Sequence, residues 1–311
     1  MEPQFGQLSK DNRPAIRRVL NLAAFPSLIT LGNGVMGFAA LVMLAKAYTY
    51  LQLGADHRAH ASEAMLYAAF YVGIGAFLDM MDGKLARITG TEGAFGKELD
   101  SLCDAITFGV TPAVFLRIFG EAIFGSGIGT EPAPPVRLLW FVSALYLMCA
   151  LIRLARFNVE SADEDDDHMS FRGLPTPGAA ATCMCLFLIS WHFRDPATGQ
   201  LGAVDAMAVA IPATGVALAL LMVSRIRYVH VFNRLLSGKR SVGFFVLTLA
   251  ILGGIWVSAL DIFELIVSGM LLIYVASGPV RVPWSIIRNR RRLSRRFAVS
   301  QRRKTSGDRD V

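Results

Sequence analysis

Apolar runs long enough to cross a lipid bilayer recur along this chain, and they narrow its folding options more than any other feature. A hydrocarbon core of about 30 Å is crossed by about 20 residues of helix. Runs of that kind occupy roughly residues 23–44, 63–81, 96–119, 138–157, 204–224, 242–260 and 262–276. One more enters through Phe171–Gly178 and ends near Phe193. Apolar residues make up 54% of the 311 positions and charged residues only 18%, with a mean hydropathy of +0.47. That excludes one soluble domain. The expected fold is all-α, a polytopic membrane helix bundle of about eight transmembrane helices. The first run is too long for the core of a signal peptide, so it reads as a retained span.

Against this background four aspartates stand out at the facing ends of the second and third spans. The first stretch reads Asp79-Met80-Met81-Asp82-Gly83-Lys84-Leu85-Ala86-Arg87, and the second Gly96-Lys97-Glu98-Leu99-Asp100-Ser101-Leu102-Cys103-Asp104. On helices, residues three or four apart share a face, so Asp79 pairs with Asp82 and Asp100 with Asp104. A short link that packs the two helices antiparallel brings the pairs together. Carboxylates so placed repel unless a cation compensates them. Hard oxygen ligands suit Mg²⁺, Mn²⁺ or Ca²⁺, and two such ions can clamp a phosphoryl group. Gly83, Ala86 and Gly96 leave room beside the acids, and Arg87 offers a fork of donors to a phosphate.

The full pattern, D-x2-D-G-x2-A-R-x8-G-x3-D-x3-D, resembles the signature of the CDP-alcohol phosphatidyltransferase family at every fixed position. The resemblance implies a membrane enzyme that replaces CMP, in a CDP-linked lipid, by an alcohol. It divides the chain into a cytoplasmic segment (1–22), a transmembrane catalytic domain (23–280) and a basic cytoplasmic tail (281–311). It implies that Asp79 and Asp100 bridge two ions, Mg²⁺ or Mn²⁺, that Asp82 completes one and Asp104 the other. Asp104 is also the implied base for the acceptor hydroxyl. Gly83, Ala86, Arg87 and Gly96 would hold CDP-diacylglycerol. Relatives often carry Pro-Asn-x-x-Thr before the first span. Here the stretch is Pro26-Ser27-Leu28-Ile29-Thr30, which retains Thr30 as a hydroxyl donor near the nucleotide. A helix start capped at Pro26-Ser27 is the competing expectation. Gly93 stands where many relatives have Ser or Thr.

Three further stretches resemble the branch of that family whose acceptor is L-serine. They are Phe95–Asp104 running into Phe108-Gly109-Val110-Thr111-Pro112, then Arg153-Leu154-Ala155-Arg156-Phe157-Asn158, then Phe171-Arg172-Gly173-Leu174-Pro175-Thr176-Pro177. The implied products are phosphatidylserine and CMP. Arg153, Arg156, Asn158 and Arg172 become candidates for the lipid phosphate or the serine carboxylate, against plain snorkelling of long side chains at the interface. The implied partners are CDP-diacylglycerol, L-serine and membrane lipid, with a homodimer left open. Two rivals remain: another acceptor (glycerol phosphate, inositol phosphate, choline or a second lipid), and a transporter with buried charges.

Charge distribution orients the bundle. All but five of the 31 lysines and arginines, namely Lys46, Arg58, Arg117, Arg137 and Arg194, fall on one side of an eight-span arrangement. Positive residues stay inside, which places both termini and the aspartates at the cytoplasmic face of a cell (inner) membrane. The net charge of +7 does not signal nucleic acid, because eleven of the basic residues sit in the tail 281–311. The acidic run Asp163–Asp167 lacks the alternation and glycine of a calcium loop, and the stretch 51–62 with His57 and His60 reads as a solvated loop. Cys103, Cys149, Cys183 and Cys185 lie in or beside apolar runs and read as small buried hydrophobes.

Overall fold

The computed structural model describes residues 13–89, 93–125, 134–160, 173–195, 198, 200–224, 226, 268–269, 272–273 and 275. Among them no strand occurs. In a bilayer core a backbone N–H or C=O finds no water, and a helix satisfies both within one segment. The helices are α1 (Arg13–Leu53), α2 (Arg58–Thr89), α3 (Ala94–Asp104), α4 (Thr111–Phe124), α5 (Pro134–Glu160), α6 (Thr176–His192) and α7 (Val204–Val223). A π-helical segment, Ala105–Val110, joins α3 to α4 without a break, so 94–124 is one continuous rod.

Among the described residues, five segments are long and apolar enough to cross a membrane: Pro26–Leu53, Ala55–Leu85, Ala94–Phe124, Arg137–Val159 and Val204–Val223. Their mean hydropathies run from 1.5 to 2.2. This is a polytopic helical bundle and an integral membrane protein. The helix α6, with 17 residues, is shorter and is buried at Ala179, Ala180, Cys183, Leu186 and Phe187. Expected spans seven and eight lie outside the described residues, apart from the helical positions 268–269, 272–273 and 275. Ser268 is buried and its hydroxyl donates to the Cys185 carbonyl at 3.5 Å. The segment 1–12, the acidic run and the tail also lie outside.

Two expectations are corrected. The first helix does not begin at Pro26-Ser27: it starts at Arg13, with Pro14 in its first turn and Pro26 inside it. Proline is tolerated in a first turn, where its missing N–H has no intrahelical partner in any case. The loop expected over 51–62 shrinks to Gly54 and one 3₁₀ turn, Ala55–His57. Gly54 adopts φ +109°, which lets the chain reverse within so few residues. His57 stacks on Tyr50 at 6.3 Å between ring centroids. His60 already belongs to α2 and lies 3.8 Å from Glu63.

Apolar side chains gain little from leaving lipid for a helix interface, so close packing holds such bundles. Phe115 and Phe119 of α4 meet Phe187 of α6 edge to face, at 5.3 and 5.6 Å. Where α1 crosses α2 and the rod, glycine replaces bulk. A Cβ on Gly37 would lie 2.9 Å from the Thr107 Cα, and one on Gly75 2.7 Å from Thr107 Cγ2. Threonine hydroxyls complete this contact. Thr107 donates to the Asn33 carbonyl at 3.0 Å, and Thr111 to those of Ile106 (2.8 Å) and Gly37 (3.3 Å). At the far end of the rod, buried Glu121 accepts from Arg117 of its own helix and from Gln52 of α1. Polar clamps thus fix α1 against the rod at both ends, separated by about 25 Å of helix.

Candidate active site

The last turns of α2 carry Asp79 and Asp82, and α3 carries Asp100 and Asp104 on consecutive turns. Ligand oxygens of Asp79, Asp82 and Asp100 all lie within 4.8 Å of one another. At that separation and an effective dielectric of about 20, two unit charges repel by about 3.5 kcal/mol. Three ionised carboxylates therefore oppose their own assembly. Asp82 is buried, and neither its Oδ2 nor Oδ1 of Asp100 has a hydrogen-bond partner among the described residues. Buried anionic oxygens without donors call for a cation. The donor set is carboxylate oxygen alone, which matches hard divalent ions such as Mg²⁺ or Mn²⁺. The residues fit the group.

Asp104 stands beside these three but is held differently. Its Oδ1 accepts a hydrogen bond from Nδ2 of Asn33 in α1, at 2.9 Å, and both side chains are buried. Sequence reasoning missed Asn33. The available signal was an amide inside an apolar run, where a polar side chain marks a partner within the bundle. Thr30, one turn earlier on α1, is buried, donates to the Pro26 carbonyl at 3.1 Å and lies within hydrogen-bonding reach of Asp82.

A Cβ on Gly83 or Gly96 would meet no atom of the described residues within 4 Å, so both border open space there. Room for a ligand therefore adjoins the carboxylates on both helices. Gly93 caps α3 in an extended conformation with no side chain to offer. The side chains of Ala86 and Arg87 lie outside the described residues, as does Arg172.

The basic end of α5 is engaged with protein groups. Nε of Arg153, a buried side chain, donates to the Leu174 carbonyl at 2.8 Å, and Nη1 of Arg156 to the Val223 carbonyl at 3.2 Å. Asn158 Oδ1 accepts from the hydroxyl of Ser101, the neighbour of Asp100, at 2.9 Å. The segment after Arg172 is stitched to the end of α7, with Gly173 N–H donating to Ile226 and Leu174 N–H to Leu221. Gly173 needs its φ of +94° there, since a Cβ would collide with the Met222 carbonyl. Of the four candidates in this part of the chain, Asn158 is tied directly to the aspartate-bearing helix, and the two described arginines cap carbonyls of neighbouring segments.

Residues 23–224 match the model of the CDP-alcohol phosphatidyltransferase family, and the chain belongs to that family. A Helicobacter pylori protein named CDP-diacylglycerol–serine O-phosphatidyltransferase is 31% identical over 81% of this chain and 90% of its own length. A Bacillus subtilis protein of the same name is 29% identical over 66% and 89%. A Mycobacterium leprae protein of that name is 32% identical over 58% of this chain. The chain spans about half the length of the mycobacterial relatives it matches.

Mn²⁺ bound to the purified protein is expected to give an electron paramagnetic resonance signal that reports these ligands. Asp79→Asn, Asp82→Asn and Asp100→Asn should each weaken Mn²⁺ binding by at least about tenfold, or ~1.4 kcal/mol, with helical content unchanged. Unaltered binding in all three variants would remove the metal assignment.

Proposed function

We propose that this protein transfers the phosphatidyl group of CDP-diacylglycerol to the hydroxyl of L-serine, giving phosphatidylserine and CMP. The observation that carries the reading is the convergence of three aspartates, two of them with a buried oxygen lacking a donor among the described residues, on a chain that resembles named serine phosphatidyltransferases along most of its length. Asp79, Asp82 and Asp100, with Asp104, would hold two divalent ions. When bound, these ions neutralise the diphosphate and stabilise charge at the phosphorus undergoing substitution.

The chain's own groups do the rest. Gly83 and Gly96 admit the nucleotide-lipid close to the carboxylates, and Arg87, Thr30 and Ala86 are its further proposed contacts. Asp104 takes the proton of the serine hydroxyl. The serine oxygen forms a bond to the phosphorus on the lipid side, and the bond from that phosphorus to the CMP oxygen breaks. CMP leaves with the electron pair. A serine carboxylate in a site shielded from water requires an arginine or several backbone donors. Arg153, Arg156, Asn158 and Arg172 are the candidates for that recognition and for a hold on the lipid phosphate.

The excess of basic residues on one side of the bundle supports a cytoplasmic site with both termini inside. In a cysteine-free background, a cysteine at Ser126 should react with an impermeant thiol reagent in intact cells or spheroplasts. One at Ser237 should react only after the membrane is opened. The reverse pattern would overturn the orientation.

Acceptor choice is read from turnover of CDP-diacylglycerol with serine, glycerol 3-phosphate, inositol phosphate and choline at equal concentration. Serine is expected to lead. Preference for another acceptor by more than about tenfold, ~1.4 kcal/mol in transition-state terms, contradicts the serine assignment while leaving the family intact.

A further inference from the structure

Asn33 is fully buried in α1, far in sequence from the aspartates, yet its amide ends on one of them. An ionised carboxylate only accepts hydrogen bonds, so the atom facing Asp104 is the Nδ2 donor. The orientation leaves Oδ1 of Asn33 buried with no donor among the described residues. An apolar side chain of similar size would fill the same volume without stranding an acceptor. The amide is therefore retained for what its N–H does to Asp104.

The surroundings keep that hydrogen bond in register. The backbone carbonyl of Asn33 accepts from Thr107, three residues past Asp104 on the π-helical segment. A Cβ on Gly34 would lie 2.9 Å from Cys103 Sγ, and one on Gly75 2.9 Å from Asn33 Oδ1. Glycines on two helices thus clear the space in which the pair meets. A wide turn of helix that begins directly after a site residue is a common device for re-aiming it.

We propose that Asn33 is a positioning residue for the transfer reaction. By occupying Oδ1 it fixes the rotation of the Asp104 carboxyl and leaves Oδ2 for the acceptor proton. Asp104 thus has a fixed donor on one oxygen, whereas Asp82 and Asp100 each keep a buried oxygen without a donor among the described residues. The inference rests on the transferase reading above.

The test compares wild type with Asn33→Leu and Asn33→Ser, each purified in the same detergent. Four quantities are measured: thermal unfolding, Mn²⁺ binding by electron paramagnetic resonance, the CDP-diacylglycerol KM, and kcat with the preferred alcohol. Asn33→Leu should keep Mn²⁺ affinity and lipid KM within about twofold and lose about 10- to 100-fold in kcat, part of the usual contribution of a positioned base. Asn33→Ser, which can pass a hydrogen bond to Asp104 through one water, should fall between the two. If Asn33→Leu does not fold, Asn33→Ser alone decides, by a kcat loss without a change in Mn²⁺ affinity. Unchanged kcat, or a loss matched in Mn²⁺ affinity or lipid KM, overturns the proposal. Failure of the wild type with every alcohol would instead sink the transferase reading.

Discussion

Mutual repulsion of carboxylates at the ends of two membrane helices is the constraint on which this structure depends. Three acidic side chains with oxygens within 4.8 Å of one another do not gather unaided. Near a protein surface each pair costs several kcal/mol, and partial burial raises that figure. Something else must hold α2 and α3 together at this end, and the bundle does so through α1. Glycines at 34, 37 and 75 let three helices meet at backbone distance, and Thr107 and Thr111 tie the rod to carbonyls of α1. A cation bound among these oxygens would offset the charge against which the protein assembles the site.

The π-helical segment follows from the same demand. It begins at Ala105, next to Asp104, and ends where Thr111 and Pro112 start α4. Such a segment shifts the helix phase, so the aspartates and the phenylalanine cluster lower on the rod each face their own partners. Within this segment the Ile106 carbonyl accepts from both the backbone N–H and the hydroxyl of Thr111, and the Phe108 carbonyl accepts from Tyr146 of α5 at 3.2 Å. In lipid such bonds matter because the alternative is an unsatisfied polar group.

Much of this was legible in the sequence, for physical reasons that differ by feature. The aspartates were readable because their spacing is local: three and four residues apart on helices joined by a short link. The family match extends well beyond that pattern, over residues 23–224. The helical bundle was readable because few polar residues interrupt the apolar runs. Asn33 was not singled out, since the partner of a lone amide lies 71 residues away and no local period points to it. Helix ends differ from expectation at Pro26, which lies inside α1, and over 51–62, where polar residues around Gly54 are taken up by α1, one 3₁₀ turn and α2. The contacts of Arg153 and Arg156 with carbonyls of Leu174 and Val223 depend on tertiary packing alone. A guanidinium in a basic run carries no mark that separates a phosphate ligand from a cap on a neighbouring helix.

Isotope tracing tests the central claim most directly. Purified protein stripped of metal would be given CDP-diacylglycerol and L-serine labelled with ¹⁸O in its hydroxyl, with and without added Mn²⁺ or Mg²⁺. The account predicts CMP and phosphatidylserine in equal amounts only when the ion is present, with the label in the lipid and none in CMP. Equal turnover without any divalent ion, or CMP released without labelled phosphatidylserine, would contradict it.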